Sequence, residues 1–474
     1  MWPFTKKKTK RKLSKRSYYD SAAINRLTND WTVTQSSPHD ELKASLRILR
    51  IRSRDLARNN DYAKRYFKLV KTNVCGHRGI AMQSKVIESD GPDKYANGVI
   101  ESAWKDWGKP GNCDVTGKLS KIDWQKLSIE SLIRDGEVLI RKYQGRKHGK
   151  YQFKIRFLDP DLLDEEYNKD LKNGSRIEMG IEYNDFGAAT AYHIFKKHPS
   201  KSLTSRERER VPAEQIIHAY DLERADQGRG VPFMVSTMLR QKNLAGYEEA
   251  EVVASRIGAS KMGFFTSPDG DSYNGDDTED GVKISEAEPG TFEQLPDGVQ
   301  FQEWNPTHPT TAFKDFVKAT LRGIASGLNV SYVDLANDLE GVSYSSIRKG
   351  ELLDRDNWRM LQTWLIEHIC TPIFEAWLEN ALMSQAINLP LRKYDKFNAP
   401  SWQPRGWSWV DPQKEVRANM EAVKCGFKSV SDVIIEQGKD PEETFARLAE
   451  DKALAEKYGL ILNTVLEEVE NDEY

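Results

Sequence analysis

Hydrophobic positions fall at helical spacing in the first well-patterned stretch, "SSPHDELKASLRILRIRSRDLARNN", where Leu42, Leu46 and Leu49 share a face. Ser37 suits an N-cap, Pro38 the first turn, and Asp40 and Glu41 the positive end of the dipole. "NND" at 59–61 allows a break and a restart, after which Tyr62, Tyr66, Leu69 and Val70 form a second face and Gly76 offers a stop. Helical pattern returns in "ANGVIESAWKDWGK" and "WQKLSIESLIRDG", and "EVLIRKY" then reads as a strand. From Tyr151 to Tyr220 alternation dominates ("YQFKIRFLD", "RIEMGIEYN", "ATAYHIFK", "EQIIHAYD"), with "YNDFGAA" as a hairpin turn and "KKHPSKSLTSRERERVP" as a charged loop. This predicts an antiparallel β module.

Beyond it, the stretch from Gly230 to Phe265 can hold a helix of some thirty residues, weakened at Gly246 and Gly258. "TAFKDFVKATLRGIASGL" places Phe313, Phe316, Val317, Leu321, Ile324 and Leu328 on one face. The loop "NVSYVDLANDLEGVSYS" leads to helical sequence from Ser346 to about Ile387, bent at Pro372. "PSWQPRGWSWVDPQKE" then sets Trp402, Trp407 and Trp409 close together in a loop-like setting, open to three readings: base stacking, bracing of a loop, or packing anchors. Two further helices are capped by Asp411-Pro412 with Gly426, and by Asp440-Pro441 with Gly459.

At 474 residues the chain has room for about three domains. With 38% hydrophobic and 30% charged residues it reads as soluble, with no membrane-spanning run and no secretory signal. Four scattered cysteines without a CxxC pair predict neither a zinc site nor a disulfide framework, and suit a reducing cytoplasm. A net charge of -2 argues against a surface that grips nucleic acid throughout. The charge is uneven: Lys6 to Arg16 is strongly basic and reads as an extended arm, with contact to nucleic acid or an acidic partner as the sharper alternative, and the tail "EEVENDEY" is acidic.

The search for reactive chemistry is negative. "GNCDVTGKLS" has the wrong spacing for a phosphate-binding loop, and Leu119 stands where a hydroxyl is needed. The acidic loop 267–281 lacks the glycine of a calcium loop at its sixth position. Asp159, Asp161, Asp164 and Glu165 in "LDPDLLDEEY" leave a metal-dependent nuclease as a competing reading, with a strand end and turn as the plainer one. No HExxH pair or G-x-S-x-G setting occurs, so no catalytic residue, metal or cofactor is expected and structural function gains weight. A monomeric scaffold or adaptor is the third reading.

Taken in order, "RSRDLARNN", "IRFLDPDLLD", "GRGVP", "YSSIR" and "W.WVDP" make the chain resemble tailed-phage portal proteins of the lambda-like family, over roughly Tyr18 to Ala455. The family tends to have Asn before "YSS", where this chain has Ser343. The resemblance implies an α+β, mainly helical portal fold of wing, stem, clip and crown, with a β-rich middle module, assembling into a dodecameric ring. It implies a conduit for double-stranded DNA at one capsid vertex, non-enzymatic itself, that docks terminase, head-completion or adaptor and tail proteins, and major capsid or scaffold protein. Mapped onto this chain, 1–36 is the basic arm, 37–150 helical wing, 151–228 the β-rich module including clip, and 229–265 a stem helix. Residues 266–328 are wing with the acidic loop, 329–345 a candidate tunnel loop, 346–410 helix with the tryptophan segment, and 411–474 crown-like helices. The tunnel loop has no Lys or Arg, and its Asp334, Asn337, Asp338 and Glu340 suit a lining that repels DNA. Lys196, Lys197, Arg206, Arg208 and Arg210 are candidate clip contacts to DNA or an acidic partner. Trp402, Trp407 and Trp409 are candidate interface anchors, within the chain or between subunits.

Overall fold

The computed structural model describes residues 35–89, 91–201, 207–259, 312–341, 343–407 and 412–460, with isolated positions before 35 and the backbone of short strands between 263 and 303. Helices α1 (Pro38–Asn59) and α2 (Asp61–Val74) form as the periodicity predicts. Ser37 caps α1 through the Asp40 N–H, and Asn60 ends α1 while capping α2. Strands β1 (Ala81–Ser84), β2 (Ile87–Glu88) and β3 (Gly91–Pro92) lead to α3 (Lys94–Trp107) and α4 (Lys121–Asp135), the latter opened by a Ser120/Asp123 capping box. The "GNCDVTGK" segment between them is a series of turns.

The β module contains β4 (Glu137–Gln144), β5 (Phe153–Leu158), β6 (Lys169–Asp170), β7 (Arg176–Glu178), β8 (Ile181–Tyr183), β9 (Ala189–Phe195), β10 (Arg208–Pro212) and β11 (Ile216–Tyr220). They form two antiparallel sheets, β11-β4-β5 and β10-β9-β8-β7-β6. The period-2 alternation of β4 explains how they stack. Val138 and Ile140 face the main helical core, whereas Leu139 joins Leu158, Ile181, Tyr192, Ile194 and Val211 in a second core between the sheets. β4 lies before the expected start of the module, yet it is the centre of the three-stranded sheet. The end of the expected charged loop is also a strand: Arg208 to Pro212 pair with β9, Val211 buried and its charged neighbours turned outward.

Helix α5 spans Met238–Ala259. It starts eight residues later than the sequence suggests: residues 233–237 form turns, with the Val235 N–H bonded to the Pro232 carbonyl and the Thr237 N–H to that of Met234. Strands β12 (Gly263–Thr266), β13 (Asp276–Asp277), β14 (Lys283–Ile284) and β15 (Gln300–Glu303) follow; the rest of the acidic loop lies outside the described residues. Helix α6 (Phe313–Gly327) buries Leu321 and Ile324, with Leu328 buried at its C-cap, whereas Phe316 of the same expected face is exposed; α7 (Tyr332–Ala336) interrupts what reads as loop. α8 (Tyr344–Leu365) passes through a π-turn at Ile366–Cys370 into α9 (Thr371–Met383), which accommodates the missing N–H of Pro372 without breaking the rod. α10 (Tyr394–Phe397) and β16 (Pro400–Gln403) bring the chain back to pair antiparallel with β1. The chain then closes on α11 (Pro412–Lys424), α12 (Val430–Glu436) and α13 (Pro441–Lys457).

The main core runs through α2, α3, α4, α8 and α9, where Trp104, Trp107, Trp124 and Trp377 are fully buried. α4 is wrapped on most sides. Its Gln125 side chain bonds both the N–H and the carbonyl of Ile80, replacing a strand partner for that residue.

Candidate functional site

The charge-bearing motifs of distant segments meet at one place. On α1, Arg47, Arg50 and Arg54 stand three and four residues apart and so form one stripe. Across from it lies the turn after β5, which carries Asp159, Asp161, Glu165 and Glu166. Arg50 donates to Asp161 (3.1 Å), to Glu165 (2.7 Å) and to Glu137 at the start of β4 (3.2 Å). Arg54 donates to Asp135 (2.6 Å), Asp161 (2.6 Å) and Asp159 (2.8 Å). Arg229, the cation of "GRGVP", approaches Glu137 from the other side with a two-pronged pair at 2.7 and 2.5 Å, and His218 Nε2 lies 2.9 Å from the same carboxylate.

This centre is dry. The side chains of Arg229, Glu137, Arg50 and His218 are 0%, 1%, 1% and 2% exposed. Burial pushes the Glu137 carboxyl up, but the charge and hydrogen bonds of Arg229 and the hydrogen bond of His218 outweigh it and hold the group well below the usual carboxylate range. Burial likewise pulls Arg229 down, and Glu137 overcomes it and holds the guanidinium charged. Backbone geometry is part of the fit. A Cβ built on Gly230 would collide with the carbonyl of Gly136, and one on Gly136, where φ is +87°, would collide with Val231. The two glycines let the segment before α5 lie directly on the α4–β4 corner.

The acids proposed for a nuclease are therefore committed to arginines. Asp159, Asp161 and His198 do bring ligand atoms within 4.8 Å of one another. Arg54 already donates to both carboxylates, so a divalent cation would have to displace a guanidinium. Asp164 pairs with Arg208 at 2.9 Å rather than joining that group.

The candidate tunnel loop contains a short helix. α7 lies between two left-handed residues, Asn329 and Asn337, each at φ +54°. Ser331 caps it, and buried Val330 and Leu335 fasten it to the core. Arg65 donates to the Asp334 carbonyl (2.9 Å), and the Asp334 carboxylate accepts from Ser331. Asp338 accepts from Tyr332 (2.6 Å) and lies 3.4 Å from Lys318; Glu340 pairs with Lys314 at 2.6 Å. Hydrogen bonds from Tyr332 and from the Glu340 N–H, aided by Lys318, hold Asp338 down at about 2. The loop's acids thus meet cations of α6 that the loop's own sequence does not contain. On α8, Asp354 accepts from the Ser331 N–H. Burial and the adjacent Asp334 carboxylate push it up to about 6.

Of the basic residues at the end of the β module, Lys196 pairs with Glu207 (3.0 Å), and Arg210 pairs with Glu182 through two bonds of 2.8 Å. Arg208 pairs with Asp164 and lies 4.0 Å above the Tyr167 ring. Lys197 is exposed, and Arg206 lies outside the described residues. Trp402 is half-buried. It packs edge-on against Trp104 and Phe374 and donates to Thr371 at 3.0 Å. Trp407 donates to Asn73 at 3.1 Å beneath Arg359. Both therefore make their contacts inside the chain, and Trp409 lies outside the described residues. The sequence reading missed the Arg50–Glu137–Arg229 centre. Its signal was present: three arginines on one face of a helix, an acid-rich turn, and a lone Arg between glycines.

The lambda-family phage portal protein model matches residues 25–362, which span α1 to the greater part of α8. A probable portal protein of Halomonas phage phiHAP-1 is 34% identical over 454 residues, covering 93% of this chain and 87% of the relative. Portal protein B of Escherichia phage lambda is 21% identical over 450 residues, covering 84% and 81%. Among solved structures, a chain in the neck of an empty gene transfer agent particle is similar over 82% of this chain and 94% of that one, at 11% identity and a TM-score of 0.42. The sequence match alone covers most of the described structure and every charged motif of the buried centre, and the chain belongs to the lambda family of phage portal proteins.

Proposed function

We propose that the chain closes, in about a dozen copies, into a ring-shaped conduit at one vertex of a phage capsid, through which double-stranded DNA enters during packaging and leaves on ejection. The observation that carries this is the family match over residues 25–362 together with the relative alignable along 93% of the chain. The architecture supports it. Buried ion pairs tie α1, the β4–β5 sheet and the segment before α5 together. Ring closure uses two different faces of each subunit, so a head-to-tail interface follows.

In this reading α5 serves as the stem helix, the loop 329–345 lines the channel, and the end of the β module forms the clip. Pairing of Asp338 and Glu340 with Lys318 and Lys314 supports a channel loop of nearly balanced charge, which lets phosphates pass without holding them. Lys197 is the candidate clip contact left without a carboxylate in the described residues, and Lys196, Arg208 and Arg210 contribute through the surface of their pairs. Terminase, head-completion or adaptor and tail proteins, and capsid or scaffold protein are the partners such a ring docks. Trp402 and Trp407 act as anchors within the subunit. No helix among the described residues is long and apolar enough to cross a membrane. The chain carries no reaction of its own.

The test is native mass spectrometry of the purified chain with electron micrographs of the same sample. A closed ring of about a dozen copies around a channel wide enough for duplex DNA is the expected result; a chain that stays monomeric at every salt and protein concentration overturns the proposal.

A further inference from the structure

One surface gathers several exposed cations around a single acid. The turn between β4 and β5 is a rigid tip. Gly145 N–H bonds the Gln152 carbonyl, His148 N–H the Gly145 carbonyl and Gln152 N–H the Gly149 carbonyl. It displays Arg146, Lys147 and Lys150, all exposed. Lys150 also lines an open cavity of about 600 Å³ shared with Lys105 and Lys109 of α3 and its end. Lys109 is held by Asp106, which also accepts from Tyr151 at 2.9 Å. Lys105, Arg146, Lys147 and Lys150 have no carboxylate within 4.0 Å among the described residues, and Asp106 is the one acid lining the cavity.

Lys105, Arg146, Lys147 and Lys150, with Lys109 beside them, outnumber the one acid of the cavity, Asp106, so the patch is locally positive. Its composition selects the partner. Centres of protein–protein interfaces are apolar and depleted in lysine. Here the cationic groups are mostly lysines, and of the exposed large apolar side chains none lines the cavity. Contacts to a nucleic-acid backbone ask for mobile, fully hydrated cations and little else.

We propose that the β4–β5 tip with the adjoining end of α3 binds the phosphate backbone of duplex DNA on the outside of the subunit, away from the channel loop. Lys105, Arg146, Lys147 and Lys150 contact phosphates without reading bases. The inference rests on the portal reading, because it places a DNA-holding surface on a protein whose channel must not hold DNA.

The test uses assembled full-length protein and closed circular duplex DNA, which cannot thread a closed ring and so reports only outer surfaces. Binding is measured from 50 to 200 mM salt for the wild type, for K105Q/R146Q/K147Q/K150Q, and for the charge-keeping K105R/K147R/K150R. Four phosphate contacts give a log–log salt slope of about 3.6, or roughly 100-fold weakening across that range. The neutralised variant should lose about that much slope and bind at least about tenfold more weakly at 100 mM salt, while the charge-keeping variant binds like the wild type. An unchanged slope in the neutralised variant overturns the inference. So does loss of polyglutamate binding with DNA binding intact, which assigns the patch to an acidic protein. Native mass spectrometry of each variant separates the two claims: rings with unchanged DNA binding sink this inference alone, whereas absence of rings in the wild type sinks the portal reading. Should the neutralised variant not assemble, the single changes K147Q and K150Q are read instead, each expected to lower the slope by about 0.9.

Discussion

The buried centre around Glu137 and the loop around Asp334 use the same residue types to opposite ends. At the first, a carboxylate 1% exposed meets two arginines and a histidine, each anchored in a different segment of the chain. Removing charge there leaves the rest unpaired in a dry site, so the arrangement exists whole or not at all. At the second, two carboxylates, Asp334 and Asp354, face each other across α7 and α8, and the outer acids hold single cations in water. Such pairs are worth little and can exchange partners. Burial with full pairing makes a clamp; exposure with partial pairing leaves charge that water and salt screen. A conduit subunit needs both.

The largest expected effect breaks the clamp. Glu137→Ala strands the buried Arg229 without its carboxylate and leaves Arg50 with Asp161 and Glu165 alone, and should cost about 3–5 kcal/mol in chemical denaturation. Asp159→Ala, at the half-exposed rim, removes one of the three carboxylates bonded to Arg54 and should cost about 1–2 kcal/mol. It should not alter any Mg²⁺-dependent DNA cleavage above background, and a cleavage activity lost with that change would revive the nuclease reading.

The pH dependences of the two regions have opposite signs. Glu137 is depressed in the folded state, so its contribution is complete above the unfolded value of about 4.3 and is lost as pH falls below it toward the folded one. Asp354 is raised, to about 6, so its folded-state proton favours the native loop at low pH, and that contribution is lost as pH rises through about 6. Hydrogen exchange of α7 amides should therefore quicken between about pH 4 and 6 beyond the intrinsic chemical trend and level off above it, and Asp354→Asn should abolish the excess. The smallest effect is Glu340→Gln, which removes an exposed pair with Lys314 and should leave the unfolding midpoint unchanged.

Local periodicity made much of the fold legible. Asn60 ends one helix and starts the next as "NND" suggested, and the strands of the β module fall where alternation places them. Errors arose where charge hid a pattern or turns interrupted it. Arg208, Glu209 and Arg210 look like loop, yet they pair with β9 because their outward neighbours supply carboxylates. α5 begins only at Met238, after turns at 233–237 that apolar spacing does not register. α7 was read as loop although Ser331 and Asp334 carry a capping pattern. The candidate site was less legible still. Arg50 and Glu137 are 87 positions apart, and Glu137 and Arg229 are 92 apart, so no local pattern ties them together. The acidic loop face was visible, but its counter-charges, Lys314 and Lys318, belong to α6.

The most direct test of the clamp is a double-mutant cycle on unfolding free energy, with Glu137→Leu, Arg229→Met and both together. The single changes should each destabilise by about 3–5 kcal/mol, and the double by clearly less than their sum, because the second change removes a charge already stranded by the first. Additive costs would mean that Glu137 and Arg229 act independently, and would contradict a single buried unit joining the three motifs.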